Sequence, residues 1–312
     1  MQNLLFYTIT VLIWGSTWLA IKFQLGSIDP MISVAYRFTL AAFLLMVWCC
    51  FRKLKMRFTL KDHLFMMLQG TFLFALNYWL FYIAELYLTS GLAAVIFSTI
   101  LVLNMINGAI FLKNPFDSKV IAGGTLGLLG IVLVFKPELT GFQWSGDVIK
   151  GIVISLAATL LASFGNILSA RNQKNKLPVI QTNAWGMTYG AILMLIISFA
   201  AGKPFVFDFS AQYLAALIYL SVFGSIVAFG CYLTLVGRIG PDRAAYATLL
   251  FPIVALIIST IWEDYHWTTE ALIGVALIIS GNLLILKKIS LKDIRKKSLA
   301  ILHGKIPENA AV

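Results

Sequence analysis

The sequence holds 312 residues, 60% hydrophobic and only 12% charged, with a mean hydropathy of +0.89 and a formal net charge of +11. Soluble domains average about 45–50% apolar and about 25% charged residues, so a water-soluble fold is excluded and the bilayer is the expected solvent. The apolar runs are continuous and about 20 residues long, which suits spanning helices rather than the alternating strands of an outer-membrane barrel.

In chain order the runs predict helical spans at Leu4–Ile21, Met31–Phe51, Leu64–Tyr87, Gly91–Leu112, Val120–Phe135, Val148–Ala170, Val179–Ala201, Tyr213–Val236, Arg243–Trp262 and Glu270–Leu286. Short connections carry breakers, among them Asp29-Pro30, Asn114-Pro115, Lys136-Pro137, Lys203-Pro204 and Gly240-Pro241. The first run has no basic leader and no small-residue cleavage site, and it contains Trp14-Gly15-Ser16-Thr17-Trp18, so it reads as a span rather than a signal peptide. The expected fold is therefore an all-α polytopic membrane protein with ten transmembrane helices.

Lysine and arginine orient it, because they concentrate in cytoplasmic loops. With the N-terminus inside, the inward segments hold 19 of the 24 basic residues and the outward segments 4, while Arg37 lies within a span. Both termini are then cytoplasmic, in the inner or plasma membrane. The positive charge needs no nucleic acid to explain it. The basic tail, residues 288–312, reads as a helix lying on anionic lipid heads.

The chain also repeats. Tyr87–Lys136 aligns without a gap on Arg238–Lys287 at a spacing of 151, placing Gly123, Leu126, Gly130, Leu133 and Lys136 on Gly274, Leu277, Gly281, Leu284 and Lys287. Two units follow, 1–136 and 137–287. Each has five spans, and an odd number inverts the second unit relative to the first. Inverted repeats are a common architecture of secondary transporters, with substrate held near the midplane between the halves.

These residues resemble the EamA-type permeases of the drug/metabolite transporter superfamily. The resemblance covers about 5–136 and 150–287. It rests on Trp14-Gly15-Ser16-Thr17, Pro30 with Arg37, Thr89-Ser90-Gly91-Leu92-Ala93-Ala94, Gly237-Arg238-Ile239-Gly240, Arg243-Ala244-Ala245-Tyr246, Phe251-Pro252 and Gly274 with Gly281-Asn282. It implies export of amino acids, drugs or other small metabolites, without naming the substrate. Such units often carry a mid-span proline and a later glutamate in the fourth span. The second unit has Pro252 and Glu263, whereas the first has Leu101 and Leu112 at the matching positions. A kink at Pro252 and a straighter fourth span are expected, with the second half bending more during transport.

Polar and aromatic groups at membrane depth are the candidate substrate contacts, since polar groups are costly in lipid and turn inward. Trp14, Thr17 and Trp18 share one face of span one, and Asn77, Tyr78 and Phe81 share one face of span three. Asn166, Tyr189 with Trp185, Tyr232 and Tyr246 complete the set, and Phe81 maps onto Tyr232 through the repeat. An aromatic cavity suits a small amphipathic metabolite, although each ring taken alone also suits packing. Arg37 lies about 9 Å from the outer end of span two at about 1.5 Å per residue, and Glu85 lies in the outer part of span three. Either they pair as a gate or clamp, or Arg37 receives a substrate carboxylate and Glu85 carries a coupling proton. Pro252 joins them as a gating candidate.

The glycines of spans five and ten form small-residue seams suited to contacts within the bundle or to a homodimer. Asn104, Asn107 and Asn282 suit bonds between helices. Cys49, Cys50 and Cys231, with the isolated His63, His266 and His303, offer no metal spacing, and nothing calls for a cofactor. No serine-hydrolase elbow, zinc-protease helix or Walker loop is present, which disfavours an intramembrane enzyme or an ATP-driven pump. A non-transporting enzyme or scaffold is the alternative to the carrier. The expected partners are a small-molecule substrate and the lipid bilayer, with proton coupling and a homodimer left open.

Overall fold

The computed structural model describes residues 2–26, 28–88, 90–136, 146–262 and 267–284. The basic tail, Trp144, His266, His303, Thr89, and the Glu263-Asp264 pair lie outside them. Among the described residues the chain is helical throughout, with no strand. The helices are α1 (Gln2–Lys22), α2 (Pro30–Phe51), α3 (Leu60–Ala84), α4 (Leu92–Leu112), α5 (Ser118–Val134), α6 (Gly146–Lys174), α7 (Val179–Ala200), α8 (Ala211–Ile239), α9 (Ala247–Trp262) and α10 (Thr269–Leu284). Seven of them are long and apolar enough to cross a membrane by length and composition. Their outward faces carry exposed Leu12, Phe43, Leu129, Val153, Ile196 and Leu272, an apolar coat that matches lipid rather than water.

Local chemistry sets the helix ends. Pro30 opens α2 at its first turn, where a missing N–H costs nothing, and the Asp29 carboxylate accepts from Met31 N at 2.9 Å. The same Asp29 meets Lys203 Nζ at 2.7 Å, which ties the α7–α8 loop to the start of α2. Gly240 stands at φ +92° between α8 and Pro241, a left-handed turn that a side chain would strain.

Several features recur at the spacing of the repeat. Thr59 caps α3 by accepting from Asp62 N, and Ser210, 151 residues later, caps α8 by accepting from Tyr213 N. Asp117 accepts from Lys119 N at the start of α5, and Thr268 accepts from Ala271 N at the start of α10. Both α3 and α8 widen into π-helix midway, at Gly70–Leu76 and Leu220–Val227. Packing follows the same pattern: α3 on α6 is matched by α8 on α1, α4 on α6 by α9 on α1, and α3 on α7 by α8 on α2. The glycine seam is reciprocal. A Cβ on Gly130 would stand 2.5 Å from the Gly274 carbonyl oxygen, and one on Gly274 the same distance from that of Gly130. Gly281 likewise meets the Gly123 carbonyl. These seams join α5 to α10 within one bundle.

Neither fourth span is one continuous helix: α4 stops at Phe97 and resumes at Ile100, and the ninth span is interrupted at Ala245-Tyr246, between a short helix Pro241–Ala244 and α9. At the break in α4 Ser98 Oγ donates to Ala94 O at 2.9 Å and Thr99 Oγ1 to Ile96 O at 2.6 Å. Hydroxyls that bond back to the preceding turn compete with the helical ladder, and no proline is needed. Pro252 lies inside α9, which remains helical on both sides of it.

Asp117 does double duty, capping α5 and accepting from Arg243 Nη2 at 3.0 Å across the joint before α9. Asp117→Ala is expected to cost about 1–2 kcal/mol, mostly from the lost cap. A thermal or denaturant midpoint in detergent measures it, and an unchanged midpoint would contradict it.

Candidate substrate chamber

A chamber opens where α1, α3, α4, α6, α8 and α9 converge. Counted together with the solvent space at its mouth, it spans about 600 Å³, and its concave, mostly apolar wall with a few polar groups is the form that small-molecule sites take. Trp14, Thr17 and Trp18 line it from α1, Asn77, Tyr78 and Phe81 from α3, Asn166 from α6 and Tyr232 from α8. Helical spacing brings these residues together: positions three and four apart share a face. The chamber draws on repeat-matched positions, Tyr78 with Phe229, Phe81 with Tyr232 and Ile100 with Phe251.

The wall is aromatic and tightly organised. Trp14 lies 4.8 Å from both Phe229 and Tyr232 and 5.5 Å from Phe251, ring centre to ring centre. Trp18, Phe81 and Phe97 form a second edge-to-face group at 5.4–6.2 Å, the preferred geometry for ring pairs. The π-helical segment of α8 fixes Trp14. There the Ala228 N–H bonds Phe223 O, five residues back, and the Gly224 carbonyl accepts from the Trp14 indole at 3.0 Å.

The polar lining is sparse and directional. Asn166 Nδ2 donates to the Tyr232 hydroxyl at 3.1 Å and to Asn104 Oδ1 at 3.4 Å, and Asn104 Nδ2 donates to Pro241 O at 3.1 Å. Asn166 Oδ1 and Asn77 Oδ1 are buried and have no partner among the described residues. Two unpaired acceptors in an aromatic chamber are costly unless a ligand donates to them, and aromatic faces attract the same cationic or N–H-bearing groups.

Two of the candidates lie elsewhere. Tyr189 bonds His63 Nδ1 at 2.8 Å and stacks on Trp185, whose ring is 4.8 Å from that of His63. Trp185 in turn donates to Met56 O, so this cluster belongs to the end of the bundle next to the α2–α3 loop. Tyr246 is buried and donates to the Val120 carbonyl, clasping α5. Asn104 and Asn107 act between helices, Asn107 donating to Ser163 Oγ at 2.9 Å, and Asn282 accepts from the Tyr7 hydroxyl. The chamber also uses Phe251, of the Phe251-Pro252 motif, and Ile21, Leu73, Phe97, Ala162 and Phe229, apolar residues with no individual mark in the sequence. Phe229 was nonetheless reachable through its repeat mate Tyr78.

Arg37 and Glu85 do not form an ion pair. Arg37 is fully buried beside the chamber, with Nε donating to Ser225 Oγ at 3.0 Å and its guanidinium 4.5 Å from the centre of the Tyr78 ring. Its Nη1 and both Glu85 carboxylate oxygens are covered and unpartnered. Ser225 and Tyr78 hold the guanidinium instead. The Pro252 side chain is outside what the structure describes.

Comparison with known proteins agrees with this architecture. The chain is 26% identical to PagO of Salmonella typhimurium strain LT2 over 283 residues, covering 90% of this chain and 91% of that one. It is 27% identical over 252 residues to the uncharacterized inner membrane transporter YedA of Escherichia coli K12, covering 80% and 79%. An E. coli K12 protein named "Probable amino-acid metabolite efflux pump" is 25% identical over 286 residues, covering 88% and 91%. A solved crystal structure superposes with a TM-score of 0.75 at 17% identity, covering 90% of this chain and 95% of that one, and so shares the fold. The EamA-like transporter family matches residues 2–136 and again 149–287, so this polytopic membrane protein belongs to the EamA-like transporter family.

Proposed function

We propose that the protein is a secondary transporter that exports small metabolites, such as amino acids or related amphipathic compounds, across the inner membrane by alternating access. The observation that carries this is the chamber: aromatic walls with two unpaired acceptor oxygens, assembled from repeat-matched positions. Two five-helix units, 1–136 and 137–287, then form inverted halves. Ten spans with both termini on the cytoplasmic side agree with the alternating lysine and arginine of the loops, and 288–312 is a cytoplasmic tail. Matched helix caps, matched π segments and the reciprocal Gly130–Gly274 contact support two states of similar energy related by exchange of the halves. Trp14, Thr17, Trp18, Asn77, Tyr78, Phe81, Asn166 and Tyr232 contact substrate in this scheme. The relatives named as an efflux pump and an inner membrane transporter support both the metabolite class and the membrane.

Counterflow in proteoliposomes tests it. Vesicles preloaded with a mixture of unlabelled amino acids should accumulate the matching labelled compound transiently, at a rate well above empty vesicles. A protonophore added in the same assay reports whether transport is coupled to protons. No accumulation of any compound from a broad metabolite panel would overturn the carrier.

A further inference from the structure

Four buried polar atoms without hydrogen-bond partners among the described residues lie beside the chamber, on α2 and just past the ends of α1 and α3. They are Gln24 Nε2, Arg37 Nη1 and the two Glu85 carboxylate oxygens. Gln24 and Arg37 are fully buried. Tyr82 connects them: its hydroxyl donates to Gln24 Oε1 at 2.8 Å and also lies within hydrogen-bonding reach of the Arg37 guanidinium, as the Tyr78 hydroxyl does, while its interaction with Glu85 is electrostatic. Glu85 in turn feels the charges of Arg37 and Lys22. The aromatic wall is adjoining, since Phe81 lies one turn before Glu85 on α3 and Ile21 lies three residues before Gln24.

A buried guanidinium normally meets a neighbouring carboxyl group, because an unpaired charge away from water is expensive. Here the π segment of α8 prevents it by holding Arg37 at both ends. Ser221 Oγ donates to the Arg37 carbonyl at 3.0 Å, Arg37 Nε donates to Ser225 Oγ at 3.0 Å, and Ser225 Oγ donates to Leu220 O at 2.9 Å. Two donors and one carboxylate are thus fixed apart, an arrangement preorganised for a ligand that supplies the opposite pair of charges.

We propose that Arg37, Gln24 and Glu85 form a head-group subsite for a zwitterion, Arg37 and Gln24 receiving its carboxylate and Glu85 its ammonium, with the apolar remainder of the ligand in the aromatic chamber. This rests on the carrier reading above and adds to it a requirement for both charges. A neutral amphipathic compound, or one with a single charge, leaves half of the subsite unmatched. Arg37 is then held by Ser221 and Ser225 for recognition rather than for structural pairing with Glu85.

Binding of three probes to the full chain in detergent tests this: L-phenylalanine, 2-phenylethylamine, which lacks the carboxylate, and 3-phenylpropanoate, which lacks the ammonium. Their competition against labelled L-phenylalanine is measured. The intact zwitterion should bind about ten- to hundredfold more tightly than either truncated probe, the range that charged hydrogen bonds give. Glu85→Gln should remove the advantage over 3-phenylpropanoate and Arg37→Gln the advantage over 2-phenylethylamine, each without affecting the other preference. Arg37→Lys, which keeps the charge, should retain part of it. The wild-type comparison needs no variant, so a misfolded substitution leaves the test intact. If the three probes bind alike while other metabolites are transported, the subsite is wrong and the carrier stands. If no probe binds and no metabolite of the panel moves, the carrier falls and the subsite with it.

Discussion

Leucine at Gly130 is expected to break the α5–α10 seam and cost upwards of about 3 kcal/mol. A Cβ there meets the Gly274 carbonyl oxygen at 2.5 Å, the Ile278 side chain at 2.8 Å and the Ile278 nitrogen at 3.0 Å. Two of these are backbone atoms, which cannot rotate away, and the larger leucine side chain has to pass between them. Helices in lipid gain nothing from hiding apolar surface against each other, so close backbone approach through small residues is what holds such a seam. Gly274→Leu should fail in the same way, because the contact is reciprocal. Gly146→Leu should not, because nothing lies within 4 Å of a Cβ at that position. Size-exclusion profiles and thermal midpoints in detergent separate the three variants. Equal stability of Gly130→Leu and Gly146→Leu would contradict the seam.

The second large effect concerns transport rather than folding. Ala162 faces the chamber from α6, one turn before Asn166, and is almost fully buried. Ala162→Phe should place a ring in the space that substrate would use and reduce transport about a hundredfold or more, the scale expected when a ligand is displaced from its site by a few kcal/mol. The ring points into the chamber among other aromatics, and a thermal midpoint in detergent checks that the variant remains folded. Asn166→Leu should also suppress transport by removing the unpaired Oδ1, with some loss of stability because Tyr232 and Asn104 lose a partner. Tyr189→Phe should leave transport near normal, as its hydroxyl serves His63 at the far end of the bundle. Normal transport by a well-folded Ala162→Phe protein would move the site elsewhere.

Much of the chamber could be read from residue spacing. Trp14, Thr17 and Trp18, and Asn77, Tyr78 and Phe81, each lie on one helical face, and a polar or aromatic group at membrane depth has to turn inward. Tyr189 and Tyr246 satisfy the same rule through other partners, His63 and the Val120 carbonyl, because the rule says that such a group turns inward and not what it meets. The break in α4 carries no proline to mark it in the sequence; Ser98 and Thr99 bond back to the preceding turn with their hydroxyls there. The π segments left no mark either. A widened turn changes the ladder from four residues to five without changing which residues are apolar, yet it positions both Trp14, through Gly224, and Arg37, through Ser221 and Ser225. Gln24 escaped notice because it follows the last turn of α1 and looks like a loop residue, although it is fully buried. The repeat was the most informative signal, since the 151-residue spacing matches helix caps, π segments and facing chamber residues alike.

The central claim, that the chamber between the two halves is reached from each side of the membrane in turn, is tested most directly by thiol accessibility. Cys49, Cys50 and Cys231 are first replaced, and a single cysteine is placed at Thr17 in the chamber wall. A membrane-impermeant methanethiosulfonate is then applied to right-side-out and to inside-out vesicles. The prediction is labelling from both sides, slowed from both sides by a transported metabolite. Labelling from neither side, or labelling that no metabolite affects, would contradict the account.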